Sequence, residues 1–98
     1  MPDDDANSQS KEARFSAPII ADSNSGWLSV HMPGSADYFG TGKAVKVEGT
    51  VDGHPYAATM LPVGGGVHMM PLRAAFRKVL GKGLGDQVDV QLRRDGIR

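Results

Sequence analysis

Arg73 and Arg77 stand four positions apart in the segment MPLRAAFRKVLGKGLGD, with Lys78 and Lys82 close behind. On a helix, positions i and i+4 are neighbours, so two guanidiniums at this spacing can grip one carboxylate or phosphate together. The plainer alternative is a solvated helix face whose charges contribute little. His31, His54 and His68 supply the imidazoles, but their separations match no short metal-ligand motif and the chain has no cysteine. No metal site and no thiolate chemistry are therefore expected. His54 reads as a turn-flanking residue and His31 as an outward strand residue. His68 precedes the Arg-bearing segment and is open to facing either a pocket or the solvent.

The glycine-rich stretches fail as nucleotide sites. In Gly40-Thr41-Gly42-Lys43-Ala44, alanine stands where a phosphate loop needs a hydroxyl for magnesium, and Asp37 occupies the place of the first glycine. Gly64-Gly65-Gly66 has Met69 where a dinucleotide fingerprint needs its third glycine, and it leads into a strand. No Gly-x-Ser-x-Gly element accompanies the serines. Asp86 reads as a turn residue ahead of a strand rather than as a general base. Met32, Met60, Met69 and Met70 suit a core with irregular gaps. No cofactor is implied, and the balance favours a non-catalytic module over an enzyme.

The elements that would hold these residues are legible from periodicity. Leu72, Ala75, Phe76, Val79 and Leu80 follow the i, i+3, i+4, i+7, i+8 spacing of one helix face, and Arg73, Arg77 and Lys78 lie off that stripe. Pro71 suits a first-turn position and Gly81 a left-handed stop. Gly83, Gly85 and Asp86 then turn the chain into a strand, Gln87 to Arg93, with Val88, Val90 and Leu92 alternating. Upstream, residues 13–21 predict a first strand with odd positions facing the core, and Pro18 marks an edge or bulge. Asp22 to Gly26 reads as a loop, Trp27 to Met32 as the second strand, and Pro33 to Phe39 as one helical turn anchored by Tyr38 and Phe39.

The clearest hairpin is built on Asp52-Gly53, a dipeptide suited to a two-residue type I′ turn. That turn sets Val51 opposite His54, Gly49 opposite Tyr56, Val47 opposite Ala58 and Val45 opposite Met60, with Tyr56 covering the glycine. Residues 62–66 read as a flexible loop before a fifth strand at 67–70. The fold class is mainly β: a small six-stranded barrel with one short α-helix between strands five and six.

With 98 residues, 40% of them hydrophobic, there is room for one modest core. Residues 1–12 are polar and carry a net charge of −3, so they read as a disordered acidic tail. Residues 13–98 read as a single barrel domain. From Pro71 onward there are 7 basic and 3 acidic residues, short of the footprint of a dedicated nucleic-acid binder. No apolar run approaches the roughly 20 residues of a membrane span, and no signal peptide is visible, so the expectation is cytoplasmic.

Taken together, KVEGTVDGHPY, LPVGGGVHMMP and RKVLGKGLGDQVDV resemble the bacterial family catalogued as domain of unknown function 1905. The resemblance runs from about Arg14 to Arg93 and includes Phe15, Trp27 and Pro33 in the same order. It implies a six-stranded barrel with a short helix, and no reaction. A second pattern, Pro71, Arg77, Leu80, Gly81, Gly85, Asp86, Val88 and Val90, is similar to the helix and Gly-Asp turn of transition-state-regulator DNA-binding proteins and cradle-loop barrels. That similarity implies a dimeric, swapped-hairpin DNA-binding regulator as the alternative function.

The leading expectation is a ligand- or partner-binding module for a small anionic ligand or a protein, with nucleic acid less favoured. The candidate binding residues are Arg73, Arg77, Lys78, His68, Trp27 and Tyr56. A cleft is expected where the helix meets residues 64–68, walled by Trp27 or Tyr56.

Overall fold

A computed structural model describes residues 12–94. The expected acidic tail, apart from Glu12, lies outside the described residues. The described residues are 53% strand and form a nearly closed barrel. Its strands are β1 (Ala13–Pro18), β2 (Ile20–Ala21), β3 (Leu28–Met32), β4 (Val45–Val51), β5 (His54–Gly64), β6 (Val67–Pro71) and β7 (Gln87–Arg94). Two short helices, α1 (Ser35–Phe39) and α2 (Ala74–Leu80), interrupt them. The strands hydrogen-bond in the order β1-β7-β4-β5-β6-β3-β2, every pair antiparallel.

The strand count is seven rather than six because the expected first strand divides at Ile19. Pro18 has no N–H to continue the ladder. Ile19 instead donates to the Asp86 carbonyl at 2.9 Å and accepts from the Gly85 N–H at 2.8 Å. Before this point β1 pairs with β7, as in Phe15↔Val90; after it β2 pairs with β3, as in Ile20↔Ser29. One bent segment thus links the two ends of the sheet, which is what nearly closes the barrel.

The core follows from alternation. Ala13, Ala17 and Ile19 point inward together with Val45, Val47, Val51, Met60, Val88, Val90 and Leu92. The β4–β5 hairpin has the register that its turn predicts, Val51↔His54 through Val45↔Met60. Asp52 and Gly53 have φ of 50° and 82°, the left-handed pair of a type I′ turn. Gly49 lies opposite Tyr56 and also packs against β7, where a Cβ would overlap the Gln91 carbonyl oxygen. The turn is tied to β7: Asp52 N–H donates to the Asp89 carbonyl at 2.7 Å, and Asp89 N–H donates to Asp52 Oδ1 at 2.8 Å. That second bond, with the Lys82 ammonium at 2.7 Å, holds the Asp52 carboxyl below the usual carboxylate range.

Two expectations about the later elements are corrected. β5 continues to Gly64, through most of the segment expected to be a loop, and a register shift between Pro62 and Gly64 accommodates the proline. Pro71 ends β6 instead of opening the helix; α2 begins at Ala74 with Arg73, in extended conformation, as its N-cap. Leu72 is buried in the core but precedes α2. Inside α2, only Phe76, Arg77 and Leu80 are half-buried, while Ala75 and Val79 are exposed. Gly81, at φ 69°, stops the helix as expected, its N–H reaching the Arg77 and Lys78 carbonyls.

Candidate functional site

The turn before β3 is held by one carboxylate. Asp22 Oδ2 accepts from the Asn24 and Ser25 N–H groups at 3.1 and 2.8 Å and from the Ser25 hydroxyl at 2.9 Å. These bonds, Ser25 foremost, keep its carboxyl below the usual range. Ser25 Oγ in turn accepts from Trp27 N–H at 3.1 Å, and Asp22 N–H donates to the Trp27 carbonyl at 2.8 Å. Trp27 therefore sits on a braced turn just before β3, not within the strand, and its side chain is 54% exposed.

Across from this turn runs the link from β6 to α2. Leu72 N–H donates to the Leu28 carbonyl at 2.9 Å and joins the two walls. Between residues 26–28 on one side and residues 71–74 with Arg77 on the other lies a cleft of about 390 Å³. Trp27, Leu28, Pro71, Leu72 and Ala74 make its lining largely apolar, and Arg73 and Arg77 add charge. This is not the expected position: the cleft meets the start of α2 and the Trp27 turn, and residues 64–68 do not line it.

Both arginines are anchored by backbone. Arg77 Nε donates to the Leu72 carbonyl at 3.1 Å, and Arg73 Nη1 donates to the Ala57 carbonyl at 3.2 Å. The Arg73 guanidinium also lies 4.5 Å from the Tyr56 ring centroid. Among the described residues the ion pairs are Lys82–Asp52 and Arg93–Glu48, so neither cleft arginine has an acidic partner. Each keeps N–H donors beyond its carbonyl bond.

The other candidates are placed apart. Tyr56 is only 5% exposed and lies behind Arg73, stacked on Phe76 at 4.1 Å, so it supports the cleft without walling it. Lys78 is exposed in the last turn of α2, where a cation complements the helix dipole. His68 is fully buried. Its Nε2 lies 2.7 Å from the Lys43 carbonyl, which can only accept, so Nε2 carries a proton. Ser35 Oγ accepts from His68 N–H at 2.6 Å and is 2.7 Å from Nδ1, to which it donates its own proton in this network. The Ser35–His68 pair is thus a satisfied clasp between α1 and β6, with no carboxylate among its hydrogen bonds and no opening to a substrate.

Larger hollows occur elsewhere. One of about 630 Å³ is bordered by Asp22, His31, Pro62 and Met69, and one of about 470 Å³ by Arg14, Asp52 and Asp89. Asp22 and Asp52 are already engaged in the structural bonds described above. No group of three or more His, Asp or Glu side chains that could hold a metal ion occurs among the described residues, and no helix among them is long and apolar enough to cross a membrane.

Sequence reasoning missed Leu28, Pro71 and Leu72 as cleft residues and Ser35 as the partner of His68. The Asp22-x-x-Ser25 spacing carried a readable signal for the braced turn. Ser35 carried none, being 33 positions from His68.

A nearly closed antiparallel barrel with two short helices and one arginine-flanked apolar cleft places the chain among small β-barrel domains. More particularly, it belongs to the family described as Domain of unknown function (DUF1905), whose model matches residues 15–92. A comparison with curated proteins found no match.

Proposed function

We propose that this barrel is a non-catalytic, cytoplasmic binding module that takes a small anionic ligand into the cleft between the Trp27 turn and α2. One observation carries the reading: Arg73 and Arg77 flank an apolar cleft and have no acidic partner among the described residues. A guanidinium retained beside apolar surface gains most when an anion supplies the missing charge-assisted hydrogen bonds. Preorganisation favours the same reading, because both guanidiniums are already held by backbone carbonyls and less side-chain freedom is lost on binding.

The alternative is a swapped-hairpin DNA-binding dimer, which would show salt-sensitive duplex binding. The test is a titration of the ¹⁵N-labelled chain with small carboxylates, inorganic phosphate, peptides and duplex DNA. Saturable shifts at Leu28, Arg73 and Arg77 with the small anions are expected. Absence of shifts there with every small anion defeats the proposal, and a stable dimer with salt-sensitive duplex binding would support the regulator instead.

A further inference from the structure

We infer that the ligand is a flat aromatic carboxylate, its ring lying on the Trp27 indole and its carboxylate held by Arg77; this rests on the anion-binding reading above. Trp27 is the largest side chain of the cleft and is left 54% exposed. A tryptophan in water on a loose loop would need no explanation, but the backbone of this one is fixed by the hydrogen bonds that Asp22 and Ser25 make around it. An exposed indole on a fixed backbone is a stacking platform, and the backbone part of its ordering cost is already met by folding.

The opposite wall is equally fixed. Leu72 is bonded through its N–H to Leu28, and through its carbonyl it orients Arg77. With Nε committed to that carbonyl, the two terminal nitrogens of Arg77 remain as a fork matched to the two oxygens of a carboxylate. The cleft offers no hydroxyl, amide or lysine side chain beside the two arginines. The two guanidiniums have donors for a phosphate as well as for a carboxylate, but the apolar walls match an anion with an apolar body rather than a bare, strongly hydrated phosphate. A volume of about 390 Å³ suits a compound of one or two fused rings rather than a nucleotide.

The test uses the full chain and 2-naphthoate as the probe. Trp27 is the sole tryptophan, so its indole N–H gives one assignable signal. Three comparators separate the chemistry: 2-naphthamide keeps the rings without the charge, cyclohexanecarboxylate keeps the charge without the aromatic face, and inorganic phosphate offers the charge alone. The expected result is saturable movement of the Trp27 indole signal by 2-naphthoate. Affinity should be about tenfold weaker for the amide and roughly threefold or more weaker for the cyclohexane acid. Arg77→Gln should weaken 2-naphthoate about tenfold, while Trp27→Leu should abolish the preference for the aromatic acid and leave carboxylate binding in place. Arg77→Lys serves where Arg77→Gln does not melt cooperatively, and the ligand series on the unaltered chain needs no variant. Equal affinity for cyclohexanecarboxylate or phosphate overturns the aromatic assignment and leaves the anion reading standing. Failure of every acid to shift the cleft signals overturns both.

Discussion

Arg73 and Tyr56 hold each other in two ways. The Arg73 guanidinium lies 4.5 Å from the Tyr56 ring centroid, and the Arg73 N–H donates to the Tyr56 hydroxyl at 3.1 Å. The same hydroxyl donates to the Pro71 carbonyl at 2.6 Å. Tyr56 therefore fastens β5 to the point where β6 gives way to α2, and the inner wall of the cleft depends on it.

Tyr56→Phe keeps the ring, its stack on Phe76 and its contact with the guanidinium, and removes only the oxygen. Two hydrogen bonds are lost at a half-buried site, so a destabilisation of about 1–3 kcal/mol is expected by denaturant titration. Faster amide exchange at Arg73 should accompany it. An unchanged exchange rate there would show that the hydroxyl does not fix the start of α2.

Gly49 tests the packing of the central sheet. Alanine at this position would drive its Cβ into the Gln91 carbonyl on β7. Gly49→Ala should destabilise on the order of 3 kcal/mol or more, a size reserved for backbone clashes and core defects. Gly83 is the control: no atom lies within 4 Å of an added Cβ and its φ is not left-handed. Gly83→Ala should change stability by no more than about 0.5 kcal/mol, again read by denaturant titration.

Ser35→Ala separates structure from binding. It strips a fully buried site of the oxygen that satisfies His68 N–H and Nδ1. Stability should fall by about 2–3 kcal/mol, whereas affinity for 2-naphthoate, measured well below the melting temperature, should be unchanged because His68 does not line the cleft. A selective loss of affinity would place His68 in the site after all.

Acid should loosen the Trp27 turn. The Asp22 carboxyl is depressed in the folded state, so its contribution is complete above the unfolded value, about 3.9, and is lost as pH falls through the lower folded value. The Trp27 fluorescence should therefore change with a midpoint below the ordinary aspartate range. Asp22→Asn keeps an acceptor but cannot titrate, and it should abolish that change. A midpoint that persists in the variant would assign the transition to another carboxylate, with Asp52 the first to check.

Much of the fold is legible in residues that lie close together along the chain. Asp52-Gly53 dictates its own turn, and a two-residue turn leaves only one register, so the pairs from Val51↔His54 to Val45↔Met60 follow from the residue order alone. Gly81 ends α2, and Asp86 takes a turn role, accepting from Gly83 N–H at 2.9 Å. The period-two burial of Val88, Val90 and Leu92 is equally plain. The motifs also carry the family.

The placement of the cleft is different. The helix periodicity of residues 72–80 reports which residues are apolar, not where the chain stops being a strand. Leu72 fits the helical spacing and is instead bonded to Leu28 across 44 positions, while Arg77 belongs to a half-buried wall rather than an open face. At Ile19, where the first strand changes partner, the bonding groups come from Gly85 and Asp86, far away along the chain. By itself the sequence determined the Asp52-Gly53 turn, the β4–β5 register and the alternation of β7, because those depend on neighbours a few residues apart. Tertiary structure alone decided that Trp27, Leu72 and Arg77 share one cleft and that His68 is locked to Ser35, because barrel closure brings together residues whose separation no local pattern records.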